Sequence, residues 1–154
     1  MTTARLELRP VAEGDVGAFR TIYLDAAEQE LADALAARVD GLGWWLAFED
    51  GHAVAAIELH AAGEGISGIA ADEAEIGWVV VDRARGRGIA TEAAAAVARH
   101  ALEVVGVPWL VAYVRPSNAA SLRVVAKLGM AYEGDGLTRS GDPMRVFRLR
   151  RSRR

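Results

Sequence analysis

Alternating polar and apolar positions near the N-terminus predict a β-strand. Residues 5–9 are Arg-Leu-Glu-Leu-Arg, and a side-chain period of two is typical of a strand with one buried face. Pro10 is expected to end this strand. Two helices are predicted to follow, at 15–24 and at 28–39. The chain therefore begins with a strand and a pair of helices.

A β-hairpin is predicted in the next segment. Trp44–Glu49 and His52–Leu59 are rich in apolar residues, and Asp50-Gly51 joins them. Asp-Gly between two such runs is a strong signal for a two-residue hairpin turn. We expect these strands to be antiparallel neighbours, followed at 61–73 by a loop over the site or a ragged strand end.

A strand, a helix and a second strand are predicted in the middle of the chain, at 75–81, 89–105 and 109–114. The helix contains an alanine-rich stretch at 93–98, which favours helix formation and leaves a thin surface for close packing. Two strands joined in this way are expected to lie parallel, with a right-handed crossover between them.

The order of the elements favours an α+β fold. A short helix at 118–129 and two strands at 131–138 and 144–149 follow the crossover. We expect a mixed, twisted sheet of six to seven strands with helices on both faces. No repeat or shift in composition marks a boundary, so residues 1–154 are predicted to form a single domain with a basic tail at about 150–154.

Composition narrows the classes of function. Of the 154 residues, 52% are hydrophobic and 25% are charged, which is typical of a globular domain. The chain has no cysteine, so disulfides, thiolate metal sites and an acyl-cysteine intermediate are excluded. His52, His60 and His100 lack paired ligand spacing, so no metal is expected.

The net charge and the hydropathy of the chain indicate which kinds of partner to expect. The net charge of −3 argues against a nucleic-acid partner. No apolar run reaches the length of about 18 residues that a membrane span requires, and no secretion signal follows Met1. We therefore expect no membrane partner and a cytoplasmic location. Arginines crowd the C-terminus and are interpreted as a solvated basic tail: Arg148, Arg150, Arg151, Arg153 and Arg154.

The turn between the middle strand and its helix is predicted to bind an anion. Residues 85–91 are Arg-Gly-Arg-Gly-Ile-Ala-Thr. The first N–H groups of a helix lack intrahelical partners and carry the positive end of its dipole. Glycines allow close approach of an oxyanion, and arginines add charged donors. These glycines could be turn residues alone, but the interleaved arginines favour a pyrophosphate site.

Two other phosphate-binding loops do not fit this turn. A Walker loop needs Lys and then Ser or Thr after its last glycine, whereas Ile89 and Ala90 follow Gly88. The dinucleotide fingerprint needs a third glycine, where this chain has Thr91. Nucleotide triphosphatases and nicotinamide enzymes are therefore not favoured.

The chain resembles the GCN5-related N-acetyltransferases (GNAT), whose signature is Gln or Arg, two residues, Gly, one residue, then Gly or Ala. Residues 85–90 match this signature. The resemblance covers most of the chain and is most specific from Glu75 to Glu133. Four further segments resemble the ribosomal-protein N-acetyltransferase branch of the family: 75–78, 91–93, 116–121 and 127–130.

The resemblance implies that acetyl-CoA binds as a co-substrate. Its site would be the central unit of strand, loop, helix and second strand. The two central strands would splay apart, and the pantetheine would lie in the gap. A backbone N–H of Val79 or Val80 would then polarise the thioester carbonyl. The implied coenzyme-binding residues are Val79, Val80, Val81, Arg85, Gly86, Arg87, Gly88, Ile89, Ala90, Thr91, Asn118 and Ser121.

Glu75 is the candidate general base. With no cysteine to carry the acyl group, direct attack of a bound amine on the thioester in a ternary complex is favoured, as the resemblance also implies. Such a reaction needs a group that removes an amine proton. The family counterpart of Glu75 points to the acceptor side. An exposed strand carboxylate is the alternative interpretation.

Ser121 is the candidate general acid, because it lies one helical turn after Asn118. Capping within the helix is an equal alternative for Ser121. Many relatives carry a tyrosine acid where this chain has Val125. The general acid could therefore also be Tyr132 or Tyr113, or the reaction could use no acid at all.

These expectations describe an N-acetyltransferase acting on a primary amine of a small molecule or a protein N-terminus, as a monomer or homodimer. One alternative is a non-catalytic acyl-CoA-binding or sensing domain, which Val125 keeps open. Another is a phosphate-binding regulatory domain, which would leave Asn118 unexplained. A cationic acceptor would be favoured if four acidic residues line the entry: Glu64, Asp72, Glu73 and Glu75.

Overall fold

A computed structural model of the chain describes residues 1–62, 73–138 and 140–152. The strands are β1 (Glu7–Pro10), β2 (Trp45–Glu49), β3 (His52–Ala61), β4 (Ala74–Val80), β5 (Trp109–Val114), β6 (Ala131–Leu137) and β7 (Pro143–Arg150). The helices are α1 (Val16–Tyr23), α2 (Ala27–Ala36), α3 (Ile89–Arg99) and α4 (Ala119–Lys127). All strands join one sheet in the order β1-β2-β3-β4-β5-β7-β6. The predicted α+β fold with one mixed sheet is confirmed.

The sheet opens between its two central strands. β4 and β5 are parallel and pair through Ala74↔Leu110 and Glu75↔Val111. Beyond these pairs β4 continues against β3 as far as Val80, and β5 continues against β7. The two strands therefore diverge toward their C-terminal ends and leave a gap between them, as expected.

Helices cover both faces of the sheet. The Tyr23 hydroxyl of α1 donates to Oε1 of Glu58 on β3 at 2.9 Å. On the other face, the Trp45 ring lies edge-on to His100, which follows α3, with 5.0 Å between centroids. Trp45 pairs with Ile57, and successive strand residues point to opposite faces, so α1 and α3 lie on opposite sides.

The alanine-rich stretch of α3 is part of the core. Ala93 and Ala94 are fully buried, and the absence of long side chains lets α3 pack closely on β3 and β4. After Arg99 the helix continues as a π-helical segment, His100–Val105, rather than as the uninterrupted α-helix that was predicted. Gly106, with φ of 87°, ends it.

Two predictions at the chain ends need correction. The first strand ends at Pro10, as predicted, but it begins at Glu7 rather than at Arg5. Pro10 itself pairs with Trp45, because β1 is an edge strand and one side of it needs no N–H donor. Arg148 and Arg150 belong to β7 rather than to a solvated tail. Arg148 is mostly buried, and its Nε lies 2.9 Å from Oε1 of Glu73.

Part of the predicted loop at 61–73 lies outside the described residues, including Glu64 and Asp72. Glu73, one of the four acids considered for the acceptor entry, is buried. Within the described ranges, none of the helices has both the length and the hydropathy that crossing a bilayer requires.

Candidate functional site

A cleft of about 600 Å³ opens beside the gap between β4 and β5. The C-terminal part of β4, the turn before α3, the first turn of α3 and one face of α4 form its walls. All predicted coenzyme-binding residues except Val81 and Arg87 line it: Val79, Val80, Arg85, Gly86, Gly88, Ile89, Ala90, Thr91, Asn118 and Ser121. The structure therefore brings most of the predicted residues together.

The turn before α3 presents backbone donors. Gly86 and Gly88 have φ values of 73° and 80°, a region that favours glycine because it lacks Cβ. The first i→i−4 hydrogen bond of α3 runs from the Glu92 N–H to the Gly88 carbonyl at 3.0 Å. The N–H groups of the helical residues before Glu92 precede this ladder and are available to an anion.

The two arginines of the turn behave differently. Arg85 lines the cleft and is mostly exposed, with Nη1 at 3.0 Å from Oδ1 of Asp82. Arg87 forms a two-pronged ion pair with Glu49 of β2, with distances of 2.8 and 2.7 Å from Nη1 and Nη2. The Arg87 guanidinium is thus held against β2 and does not line the cleft.

Backbone direction distinguishes the valines at the end of β4. The Val81 N–H donates to the Val54 carbonyl of β3 at 3.0 Å, and Val81 is buried. Amide groups in an antiparallel strand alternate between its two edges. The Val79 N–H therefore also points toward β3, whereas the Val80 N–H points toward the gap. In agreement, the Val80 carbonyl accepts from Nε of Arg85 at 3.3 Å.

The start of α4 forms the opposite wall. Asn118 caps α4, because its Oδ1 accepts a hydrogen bond from the Ser121 N–H at 3.1 Å. Two basic residues that sequence analysis did not assign, Arg123 and Lys127, also line the cleft. Their i,i+4 spacing places them on one side of α4, and that spacing was the signal available in the sequence.

The structure separates the candidate acids. Ser121 lines the cleft. Val125, at the position where many relatives carry a tyrosine, is 1% exposed and belongs to the core. Tyr132 lies on the edge strand β6, where its hydroxyl donates to Asp135 at 2.8 Å. Within the described residues the buried Tyr113 hydroxyl has no hydrogen-bond partner, and burial, with Glu75 and Glu73 nearby, raises the pKa of Tyr113.

Glu75 lies where β4 and β5 begin to diverge. It pairs with His60 across β3 and with Val111 across β5. Its Oε2 is 3.8 Å from Nε2 of His60, and its side chain is 27% exposed. Burial raises the pKa of Glu75, His60 opposes the shift, and the negative charge of Glu58 adds to it. Glu75 is thus a partly buried carboxylate on the α1 face of the sheet.

Glu58 is a second carboxylate on this face that sequence analysis missed. It accepts the hydrogen bond from Tyr23, and burial raises its pKa. A Cβ at Gly77, its cross-strand partner, would lie 3.3 Å from Glu58 Oε2, so the glycine leaves room for the carboxylate. The available signal was a lone acid between Ile57 and Leu59 in an otherwise apolar strand.

Comparison with known proteins identifies the family. The sequence model of the acetyltransferase (GNAT) domain matches residues 5–131. The chain belongs to the GNAT acetyltransferase family. Acetyl-CoA-dependent acetylation is the general activity of that family.

Individual relatives of this GNAT domain are distant. The uncharacterized N-acetyltransferase YnaD of Bacillus subtilis (strain 168) is 37% identical over 60 residues, which cover 39% of this chain and 35% of that protein. The match thus spans about a third of the length of that relative.

Solved structures share the fold over nearly the whole chain. RimL, a ribosomal L7/L12 alpha-N-protein acetyltransferase, has a TM-score of 0.82 at 17% identity, over 100% of this chain and 98% of its own. The protein yncA from Salmonella typhimurium, solved with its cofactor acetyl-CoA, has a TM-score of 0.77 at 17% identity, over 97% and 96% of the two chains. At such identities these likenesses show the fold alone.

Proposed function

We propose that this GNAT domain, residues 1–154, transfers the acetyl group of acetyl-CoA to a primary amine of a small molecule or a protein N-terminus. The amine attacks the thioester directly in a ternary complex. The observation that carries this proposal is the glycine turn at the head of α3, which opens on a cleft leading into the gap between β4 and β5. Acetyl-CoA supplies the activated acetyl group.

The cleft residues suit a polyphosphate ligand. Gly86 and Gly88 shape a turn whose following N–H groups can donate to a diphosphate. Arg85, Arg123 and Lys127 add positive charge around the same cleft. Asn118 and Ser121 complete its opposite wall. Arg87 contributes by bracing the turn against β2 instead of by binding phosphate.

Val80 is the proposed donor to the thioester carbonyl. Its amide points toward the gap, whereas the amides of Val79 and Val81 point toward β3. A fixed backbone N–H at this position would stabilise negative charge that develops on the carbonyl oxygen.

Glu75 is the proposed general base and Ser121 the proposed general acid. The raised pKa of Glu75 brings it closer to neutrality, where a base takes a proton most effectively. Ser121 faces the cleft that would hold the thioester end of the coenzyme. Tyr113 is the alternative acid, because its hydroxyl lacks a partner within the described residues.

We further propose that the chain belongs to the ribosomal-protein N-acetyltransferase branch. The segments at 75–78 and 116–121 and the fold likeness to RimL support this assignment. The family assignment favours an enzyme over a non-catalytic sensing domain.

Thiol release from acetyl-CoA, measured against a panel of small amines and N-terminal peptides, tests the proposal. We expect turnover with at least one acceptor. Tight coenzyme binding without turnover on any amine would instead support a sensing domain. Glu75→Gln should reduce turnover and preserve coenzyme binding, whereas Glu7→Gln, which alters an exposed strand carboxylate far from the cleft, should change neither.

A further inference from the structure

Arg5, just before β1, contacts the turn that precedes α3. Its Nη1 donates to the Arg87 carbonyl at 2.9 Å. Its Nε and Nη2 lie 2.8 and 2.7 Å from Oε2 of Glu92 in the first turn of α3. The Arg5 backbone N–H donates to Oε1 of the same carboxylate at 2.9 Å. One residue near the N-terminus therefore holds both the turn and the start of the helix.

Glu92 is fully engaged in this contact. Besides the bonds from Arg5, its Oε1 accepts from the Thr3 hydroxyl at 2.5 Å. Burial alone would raise the pKa of Glu92, but the hydrogen bonds from Thr3 and Arg5 outweigh it and lower the pKa. The carboxylate is thus ionised at neutral pH and fixes the Arg5 guanidinium in place.

The bond to the Arg87 carbonyl sets the direction of the next peptide N–H. In a planar trans peptide the carbonyl and the following N–H point in opposite directions. Holding the Arg87 carbonyl toward Arg5 therefore turns the Gly88 N–H away from Arg5. Gly88 lines the cleft, and an added Cβ there would lie 3.5 Å from Nη2 of Arg5, so the guanidinium packs against this part of the turn.

We propose that Arg5 is a positioning residue for coenzyme binding. Held by Glu92, it orients the Gly88 N–H so that this donor is presented to the diphosphate of acetyl-CoA without reorganisation. The proposal rests on the proposed function, in which this turn binds the diphosphate.

The ion pair between Arg9 of β1 and Asp15 provides a control. Nη1 and Nη2 of Arg9 bind the Asp15 carboxylate at 2.8 and 2.6 Å, and Asp15 also accepts from the Ala12 N–H at 2.6 Å. Neither partner lines the cleft. Asp15→Asn should therefore lower stability without changing coenzyme affinity.

Calorimetry with coenzyme A and steady-state kinetics test the proposal. Arg5→Met should raise the Kd for coenzyme A and the KM for acetyl-CoA roughly tenfold, the effect of losing one well-directed bond to a charged group. The kcat should stay within about twofold, because Arg5 touches no reacting group. Arg5→Lys should recover part of the affinity. Glu92→Gln should give a smaller loss, and the Arg5→Met/Glu92→Gln double variant should bind no worse than Arg5→Met alone.

Acetyl-pantetheine, which lacks the diphosphate, separates positioning from general structural damage. Arg5→Met should leave kcat/KM for acetyl-pantetheine unchanged, whereas a distorted fold would lower it for both substrates. Equal Kd values for wild type and Arg5→Met, or equal losses with both acyl donors, would overturn the proposal. If Arg5→Met does not fold, the same comparison of Kd values and of the two acyl donors can be made with Arg5→Lys and Glu92→Gln. If wild type bound no coenzyme A, the proposed function would fail as well.

Discussion

Replacing Gly88 with alanine should separate backbone strain from lost anion binding. Gly88 has φ of 80° at the head of α3, where a side chain costs about 1–2 kcal/mol. An added Cβ would make only an ordinary contact, 3.5 Å from Nη2 of Arg5. Steric overlap is therefore a minor part of the effect, and strain is the main part.

The turn of the Gly88→Ala variant can respond in two ways. If it keeps its shape, the free energy of unfolding should fall by about 1–2 kcal/mol. If it relaxes to negative φ, the Gly88 N–H turns away from the ligand, and losing a bond to a charged group costs about 1.5–3 kcal/mol, which is roughly ten- to hundredfold in Kd. We expect both effects in part, with lower stability and weaker binding of coenzyme A.

Gly141→Ala is the matched control. Gly141 has φ of 85°, has no atom within 4 Å of an added Cβ, and lies in the hairpin between β6 and β7. Denaturant unfolding and calorimetry on both variants should show similar losses of stability, with weaker coenzyme binding only for Gly88→Ala. An unchanged Kd in Gly88→Ala, together with a loss of stability like that of Gly141→Ala, would refute the role of this turn.

Three further predictions concern the carboxylates and the cap of α4. Because the pKa of Glu75 is raised, the acid limb in the pH profile of kcat/KM should lie above pH 4.5 and should disappear in the Glu75→Gln variant. An unchanged acid limb in that variant would contradict the role of Glu75 as base. Glu58→Gln removes a negative charge that raises this pKa, so the limb should move to lower pH, as a pH–rate profile would show. Asn118→Ala should lower the unfolding free energy by about 1 kcal/mol and raise the KM for acetyl-CoA, and a change in neither would contradict the assignment.

The pKa of Glu75 also has a consequence for stability. Its value in the folded protein is raised, so its contribution to stability is fully present below the unfolded pKa and is lost as pH rises through the folded pKa. Glu75→Gln should therefore be more stable than wild type at neutral pH, while its turnover falls. Equal unfolding free energies of the two proteins at pH 7 would indicate that the carboxylate is well solvated.

The features that sequence analysis predicted correctly depend on nearby residues. The turn at 85–91 could be predicted because glycine permits positive φ and a helix start exposes its own N–H groups. The hairpin at Asp50-Gly51 is local in the same way. The gap between β4 and β5 was expected from resemblance to a family, since no local pattern encodes a loss of pairing.

What sequence analysis missed depends on distant partners. Arg87 was predicted to bind phosphate, but its guanidinium pairs with Glu49, which lies 38 positions earlier. The choice between Val79 and Val80 required the register with β3, which fixes the direction of each amide. In both cases the local residue types permit two outcomes, and a contact with another strand decides between them.

Contacts from distant residues also hold the turn before α3, and these contacts could not be predicted from the sequence of the turn. Arg5 contacts Glu92 across 87 positions and the Arg87 carbonyl across 82, and Glu49 holds the Arg87 side chain. These contacts come from β2 and from the segment before β1, at the edge of the sheet away from the gap. The motif therefore supplies a turn whose glycines permit several backbone conformations, and contacts from the N-terminal part of the chain favour one of them. Consequently, a signature match alone should overestimate the coenzyme affinity of any variant of this chain that lacks Arg5 or Glu92.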